Sequence, residues 1–337
     1  MTNLFQPRLL NGVFGDPGLF VRLRWERRAL LLDLGDLTAQ PPADLLKVTD
    51  IFVSHTHVDH FIGFDHLLRI VLGRDQTIRL FGPPGLISNV EGKLSGYIWN
   101  LVEGYTLAFD VHEVSSDKIT AARFSCGARF ERIDLPPPSP FTGVLIDDPL
   151  FRVEAVHLDH KIPCLAFALA EVQRINIDPE RLECLGFSTG PWLTEFKRLV
   201  RAGAPDDTIV RAPCGDETGE AFRELLLGDL RDKIVTITSG QRLVYVTDTL
   251  YSDENRQKIV ALAHDADILF CEAMYLEQDR DYATERHHLT ARQAGLLARE
   301  ANVRELVVFH FSQRYQERPE ALYHEAAEAF GGPVRSH

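Results

Sequence analysis

The stretch Ser54-His55-Thr56-His57-Val58-Asp59-His60 constrains this chain more than any other. It follows the apolar run Ile51-Phe52-Val53, so a strand delivers three histidines and one aspartate into one small volume at its carboxyl end. Histidines at i and i+2 supply two neutral imidazoles to one ion, and the Asp59-His60 pair in the next turn faces a second. Buried polar groups without partners are costly, and imidazole with carboxylate suits zinc and similar first-row metals. The cluster predicts a metal site.

The 337 residues are 45% apolar, enough for a sizeable core in one large domain or two small ones. No apolar stretch approaches a membrane span, and Met1–Arg8 lacks a basic-then-apolar leader pattern, so a cytoplasmic protein is expected. The five cysteines (Cys126, Cys164, Cys184, Cys214, Cys271) are odd in number and include no Cys-x-x-Cys pair. They read as reduced, structural thiols. Forty-nine acidic against thirty-six basic residues give a net charge of −13. That balance opposes non-specific nucleic-acid binding, yet it allows a polyanion held by metal ions and a local basic patch.

Short strand-like runs alternate with helical patterns throughout. Leu19–Trp25, Ala29–Asp33, Asp50–Ser54, Ile78–Phe81, Pro163–Val172 and Leu306–Phe309 read as strands, and several more are expected over 105–157. Helical spacing covers Phe61–Leu72, Ile87–Leu101, Asp253–Ala263, Thr290–Ala301 and Glu317–Phe330, with Thr290 as an N-cap. Ile234–Ile237 and Leu243–Thr247 flank Thr238–Arg242 like the arms of a hairpin. Strands mixed with helices in both halves predict an α/β fold, two mixed β-sheets sandwiched between helices.

More ligand types stand at or near the ends of apolar runs. His160 follows Ala155–Asp159, Asp248 follows Leu243–Thr247, and His310 follows Leu306–Phe309. With the cluster at 55–60, these motifs resemble the metallo-β-lactamase superfamily and, within it, the ribonuclease Z family of tRNA 3′-processing endonucleases. The resemblance spans nearly the whole chain. Leu32-Asp33-Leu34-Gly35 resembles the first motif, 54–60 the second, Leu158–Cys164 the third and Thr247-Asp248-Thr249 the fourth. His310-Phe311-Ser312-Gln313-Arg314-Tyr315 resembles the fifth and is the most discriminating. Cys271-Glu272-Ala273 and His288-Leu289-Thr290 are similar to the family's His-Glu-Ala-Thr and His-Ser-Thr.

The resemblance implies an αββα sandwich as a single domain over 1–337, with two zinc ions per chain; manganese or iron suits the same ligands. It implies that His55, His57 and His160 hold one ion, that Asp59, His60 and His310 serve the other, and that Asp248 bridges them. Asp59 is also a candidate proton acceptor for the attacking water. His288, oriented by Glu272, would protonate the leaving 3′-oxygen or hold a phosphate oxygen. Ser312, Arg314, Gly190 and Pro191 are the implied substrate contacts, and a homodimer is implied. His157, three residues before His160, would be structural, and of the adjacent pair His287 and His288 only the second carries the motif.

Two stretches depart from the family pattern. The family's arm, basic and glycine-rich and ending in Gly-Pro, corresponds to 170–203, an exosite-like insertion that retains Gly190-Pro191. Here it carries five basic residues (Arg174, Arg181, Lys197, Arg198, Arg201) and five acidic ones (Glu171, Asp178, Glu180, Glu183, Glu195), a net charge of zero. The glycine-rich opening is replaced by a looser stretch from Leu10 to Leu19 with Gly12, Gly15 and Gly18. Precursor tRNA is the expected substrate. A small phosphodiester, lactone or β-lactam, cleaved by the same metal pair, is the alternative that a neutral arm favours.

Overall fold

The structure is a computed structural model that describes residues 3–172, 174–213, 222–238 and 240–336. Ala29–Leu32, Val48–Phe52, Thr77–Gly82 and Ala108–Val114 pair in parallel at the centre of a nine-stranded sheet. Parallel neighbours need long crossovers. The helices Phe64–Val71 and Leu86–Ser95 lie in two of those crossovers. Each is amphipathic: Phe64, Leu67, Leu68 and Val71 on the first, and Leu86, Ile87, Val90 and Leu94 on the second, are buried in one core with the sheet's apolar residues. Antiparallel strands complete the sheet on both sides, Phe5–Leu9 and Leu19–Leu23 on one and Lys118–Ser125 with its partners on the other.

The seven-stranded sheet runs Val144–Asp147, Phe151–Asp159, Pro163–Glu171, Arg242–Val246, Ile268–Glu272, Leu306–Phe309, Val334–Arg335. Its last four strands are parallel. Helices Asp253–Ala263, Ala291–Glu300 and Pro319–Phe330 share a core with them. Thr290 caps the second of these in a capping box with Gln293. Gly295 lets that helix approach the third, since a Cβ there would lie 2.4 Å from the Ala326 carbonyl oxygen. The two sheets meet through Phe52, whose ring centroid lies 5.6 Å from that of Phe167. The fold is the α/β sandwich of two mixed sheets flanked by helices. Among the described residues, no helix is long and apolar enough to cross a membrane.

The chain divides into two compact units: Met1–Leu145, Val153–Leu169 and Arg242–His337 in one, Ile146–Arg152 and Ala170–Gln241 in the other. The smaller unit holds two antiparallel strand pairs, Arg174–Ile177 with Val235–Thr238 and Ile209–Pro213 with Phe222–Leu226. Helices Pro179–Cys184, Trp192–Arg201 and Leu227–Ile234 close on a core of Leu182, Phe196, Val210, Leu230 and Ile234. The stretch 170–203 lies wholly inside this unit.

Two local expectations change. Val235–Thr238 and Arg242–Val246 are not hairpin partners: the first pairs with Arg174–Ile177, and the second lies between Pro163–Glu171 and Ile268–Glu272. The turn-rich link between them joins different sheets, a distinction that local spacing does not carry. The helix expected over 87–101 ends at Ser95, where the Gly96 amide turns back to the Lys93 carbonyl. Cys214 to Gly219, whose role the sequence leaves open, lies outside the described residues.

Candidate metal centre

Parallel strands present their carboxyl ends to one edge, and there α/β folds place their chemistry. Val48–Phe52 ends just before the cluster at 54–60. In the other sheet, Glu272 is in register with Phe309, and Val246 with Cys271, which makes Asp248, Glu272 and His310 neighbours. His160 comes from the turn between Phe151–Asp159 and Pro163–Glu171. Asp33, Asp248 and His310 each leave their strands with left-handed backbones, at φ of 59°, 47° and 60°. Such conformations cost energy for residues other than glycine and gather at functional sites. Gly63 pins the loop behind the cluster, where a Cβ would lie 2.2 Å from the Gly35 carbonyl oxygen.

Three overlapping groups could each hold an ion: His55, His57, His160 and Asp248; Asp59, His60 and His310; and Asp248, Glu272, His288 and His310. Asp248 Oδ2 lies 3.6 Å from His55 Nε2, 3.4 Å from His60 Nε2 and 3.4 Å from His160 Nε2. Asp59 Oδ2 lies 3.5 Å from His60 Nε2 and 3.6 Å from His310 Nε2. Donors about 2.0–2.2 Å from a common tetrahedral ion stand about 3.3–3.6 Å apart, so these separations suit shared ions better than mutual hydrogen bonds. His60 Nε2 is buried, faces Asp248 in poor hydrogen-bond geometry and has no hydrogen-bond partner. The donor set and this orphaned nitrogen fit divalent-metal binding, with one Asp248 oxygen common to both histidine sets.

Behind the ligands stands a layer that fixes their tautomers. Asp33 is fully buried and accepts from the Ser54 amide at 2.6 Å, the Ser54 hydroxyl at 2.8 Å, the Tyr245 hydroxyl at 3.1 Å and His60 Nδ1 at 2.9 Å. That last bond turns His60 Nε2 towards Asp248. His160 Nδ1 donates to the His287 carbonyl at 2.8 Å and likewise turns its Nε2 to the centre. Glu272, also fully buried, accepts from the Thr249 amide at 2.8 Å, the Leu289 amide at 3.3 Å and His288 Nδ1 at 2.8 Å.

These surroundings separate the histidines electrostatically. Burial, then the neighbouring His60, push His55 down to about 2, so its imidazole is neutral. Burial also lowers His160. His60 goes the other way: burial opposes its charge, but Asp248 and Asp33 carry it up to about 10. Burial lowers His288 as well, and the charges of Glu272 and Asp248 outweigh it, leaving His288 raised. Burial raises Asp59, while His310 and His60 more than reverse this and bring it to about 2.

The structure thus brings together His55, His57, Asp59, His60, His160, Asp248, Glu272, His288 and His310. Ser312 and Arg314 follow His310 on the same edge, and the Ser312 amide bonds the Met274 carbonyl at 3.1 Å. Gly190 and Pro191 belong to the smaller unit, just before the helix Trp192–Arg201. His157 is structural, its Nε2 bonded to the Val114 carbonyl at 3.0 Å. Cys126, Cys164, Cys184 and Cys271 are free thiols. Sequence reasoning missed Tyr245, which lies in an unbroken apolar run, and the His287 carbonyl, since main-chain acceptors leave no mark in side-chain identity. The departed N-terminal stretch packs against the fifth motif: the Phe311 amide bonds the Val13 carbonyl at 2.7 Å, and Gln313 Nε2 the Phe14 carbonyl at 2.6 Å.

A family model described as "Beta-lactamase superfamily domain" matches residues 233–311. Ribonuclease Z of Deinococcus radiodurans is 35% identical over 293 residues, 86% of this chain and 83% of the relative. Ribonuclease Z of Myxococcus xanthus is 30% identical, over 85% of this chain and 78% of the relative. Among solved structures, the metallo-β-lactamase fold protein YhfI of Bacillus subtilis superposes with a TM-score of 0.56 at 15% identity, covering 98% of this chain and 97% of its own. The short form of human tRNase Z superposes with a TM-score of 0.51 at 19% identity, covering 93% of each chain. The solved structures establish the metallo-β-lactamase fold, and the sequence relatives narrow it: the chain belongs to the ribonuclease Z family of metal-dependent hydrolases.

Proposed function

We propose that this protein removes the 3′ trailer of precursor tRNA by endonucleolytic hydrolysis, using two zinc ions held by His55, His57, Asp59, His60, His160, Asp248 and His310. The observation that carries the reading is the His288–Glu272 pair beside Asp248, 2.8 Å apart, which adds a proton donor to the metal-ligand cluster. Two bound ions lower the pKa of a water and stabilise charge on the attacking and leaving oxygens of an in-line displacement.

The chain's own groups do the rest. Asp59, whose side chain is 43% exposed, stands at the open side of the cluster as proton acceptor for the attacking water. That water forms a bond to phosphorus while the bond from phosphorus to the 3′-oxygen breaks. Glu272 holds the Nδ1 proton of His288, and the Nε2 proton of the imidazolium passes to the departing 3′-oxygen. The products are a 3′-hydroxyl on the tRNA and a 5′-phosphate on the trailer. The charges of Glu272 and Asp248 raise the pKa of His288, which favours its acid form. Ser312 and Arg314 contact the substrate beside the centre. The smaller unit serves as the arm, with Gly190-Pro191 as its tRNA contact.

The family resemblance favours a homodimer, and an exposed apolar run supports it: Ile98 and Leu101 are 88% and 80% exposed, with Tyr97 and Tyr105 nearby. A precursor-tRNA substrate is consistent with a cytoplasmic protein. The decisive experiment is cleavage of precursor tRNA by the metal-loaded protein at low salt, with zinc and with manganese. One cut leaving a 3′-hydroxyl is expected. An intact precursor under both metals, alongside hydrolysis of a lactone or β-lactam, overturns the reading.

A further inference from the structure

Beside the metal centre two arginines meet at one tyrosine. The Arg314 guanidinium carbon lies 4.6 Å from the Tyr282 ring centroid and 5.2 Å from that of Tyr275. The Arg286 guanidinium carbon lies 5.3 Å from the same Tyr282 centroid. The two rings stand edge to face at 5.3 Å, and Tyr275 lies 6.2 Å from the ring of His288. Rings and guanidiniums therefore run without a break from the candidate proton donor outward to Arg286, an exposed residue. Lys161 adds a third cation, its Nζ bonded to the Glu285 carbonyl at 2.7 Å.

Two cations over one ring repel each other unless a counter-charge lies close. Only one stands near: Asp279 Oδ1 lies 3.8 Å from Arg314, too far for a hydrogen bond, and Arg286 has no ion pair among the described residues. A guanidinium stacked on a ring keeps its N–H donors free at its edge, in the planar fork that matches phosphate oxygens. An anion between the two would satisfy the donors and relieve the repulsion. Elsewhere in the protein, arginines such as Arg123, Arg198, Arg211 and Arg335 lie within 3.0 Å of a carboxylate oxygen.

We propose that Arg286 and Arg314, held on Tyr282 and Tyr275, clamp the phosphodiester backbone of the RNA strand on the 5′ side of the cut. The inference rests on the proposed reaction, in which His288 faces the 3′-oxygen of that strand. It supplies near the reacting bond the phosphate contact that a neutral arm lacks. Neither Arg286 nor Tyr282 belongs to the motifs that assign the ligands; the clamp is visible only in the folded chain.

The test is equilibrium binding of a fluorescent single-stranded heptaribonucleotide ending in a 3′-hydroxyl to the metal-loaded full chain, at several salt concentrations. Arg286→Gln and Tyr282→Leu should each weaken binding about tenfold at low salt. The slope of log K against log salt should become shallower by about 0.7 for each phosphate that is no longer neutralised. Tyr282→Phe, which keeps the ring, should bind within twofold of the wild type. With precursor tRNA, Arg286→Gln should raise KM by a similar factor and change kcat by less than twofold. Wild-type affinity and slope in both Arg286→Gln and Tyr282→Leu overturn the clamp. So does an equal loss on bis(p-nitrophenyl) phosphate, which is too small to reach past His288 and would report an effect relayed through the metal centre. If the wild type binds the oligoribonucleotide through Arg286 yet leaves precursor tRNA intact, the clamp stands and the tRNA assignment fails. If precursor tRNA is cleaved and neither substitution has any effect, the clamp fails and the tRNA assignment stands.

Discussion

The metal edge of the larger unit and the surface of the smaller unit are both dense in charge, yet they use it differently. At the metal edge, Asp33, Asp248 and Glu272 are buried, and each faces histidines. In the smaller unit, Arg181 with Asp178, Arg198 with Glu195, Arg211 with Glu224 and Arg231 with Asp206 form ion pairs at 2.6–3.2 Å on the exposed surface. Exposed pairs contribute little, because water and salt screen them and holding long side chains in place costs entropy. Buried ones shift pKa values and fix tautomers. The same residue types therefore act as chemistry in one region and as solvated surface in the other. Those pairs leave Arg181, Arg198, Arg211 and Arg231 each facing a carboxylate, whereas Arg286 has no ion pair among the described residues.

The sharpest way to break this comparison is Asp248→Ala. One of its oxygens is shared by three histidine nitrogens, so metal analysis should fall from about two ions per chain to below one, with hydrolysis lost. Retention of both ions would remove Asp248 from the centre. His288→Ala should come next, lowering kcat by about 10²–10⁴ with metal content kept; equal metal loss in both variants would contradict the division between ligand and proton donor. The sign with pH follows from Glu272. A raised His288 pKa keeps the acid form below that value, so kcat should fall as pH climbs through it, and His288→Ala should lack that limb.

Tyr245→Phe is subtler. It strips one donor from the buried Asp33 carboxylate, which should cost about 1–3 kcal/mol of stability and weaken metal binding about 10–100-fold through His60. Competition with a chromophoric chelator reads the second effect, and unchanged affinity would detach Tyr245 from the metal. Smallest of all, Arg231→Ala in the smaller unit should leave the thermal midpoint unmoved within experimental scatter. A clear drop would mean that its exposed pairs with Asp206 and Asp232 do more than solvate the surface.

The metal chemistry was legible in the sequence, because His55, His57, Asp59 and His60 lie within one turn of a strand end and need no tertiary contact to share a volume. The sandwich class was legible too, since strand and helix periodicities are local, and the family motifs named His160, Asp248, Glu272, His288 and His310 one by one. Local spacing could not tell which strands pair. Val235–Thr238 and Arg242–Val246 look like one hairpin and belong to different sheets. It took the folded chain to show that Tyr245 reaches Asp33 across 212 positions, that the His287 carbonyl orients His160 across 127, and that Arg286 and Arg314 converge on one ring. Those contacts depend on sheet register and on backbone acceptors. Neither is written in the spacing of side chains along the chain.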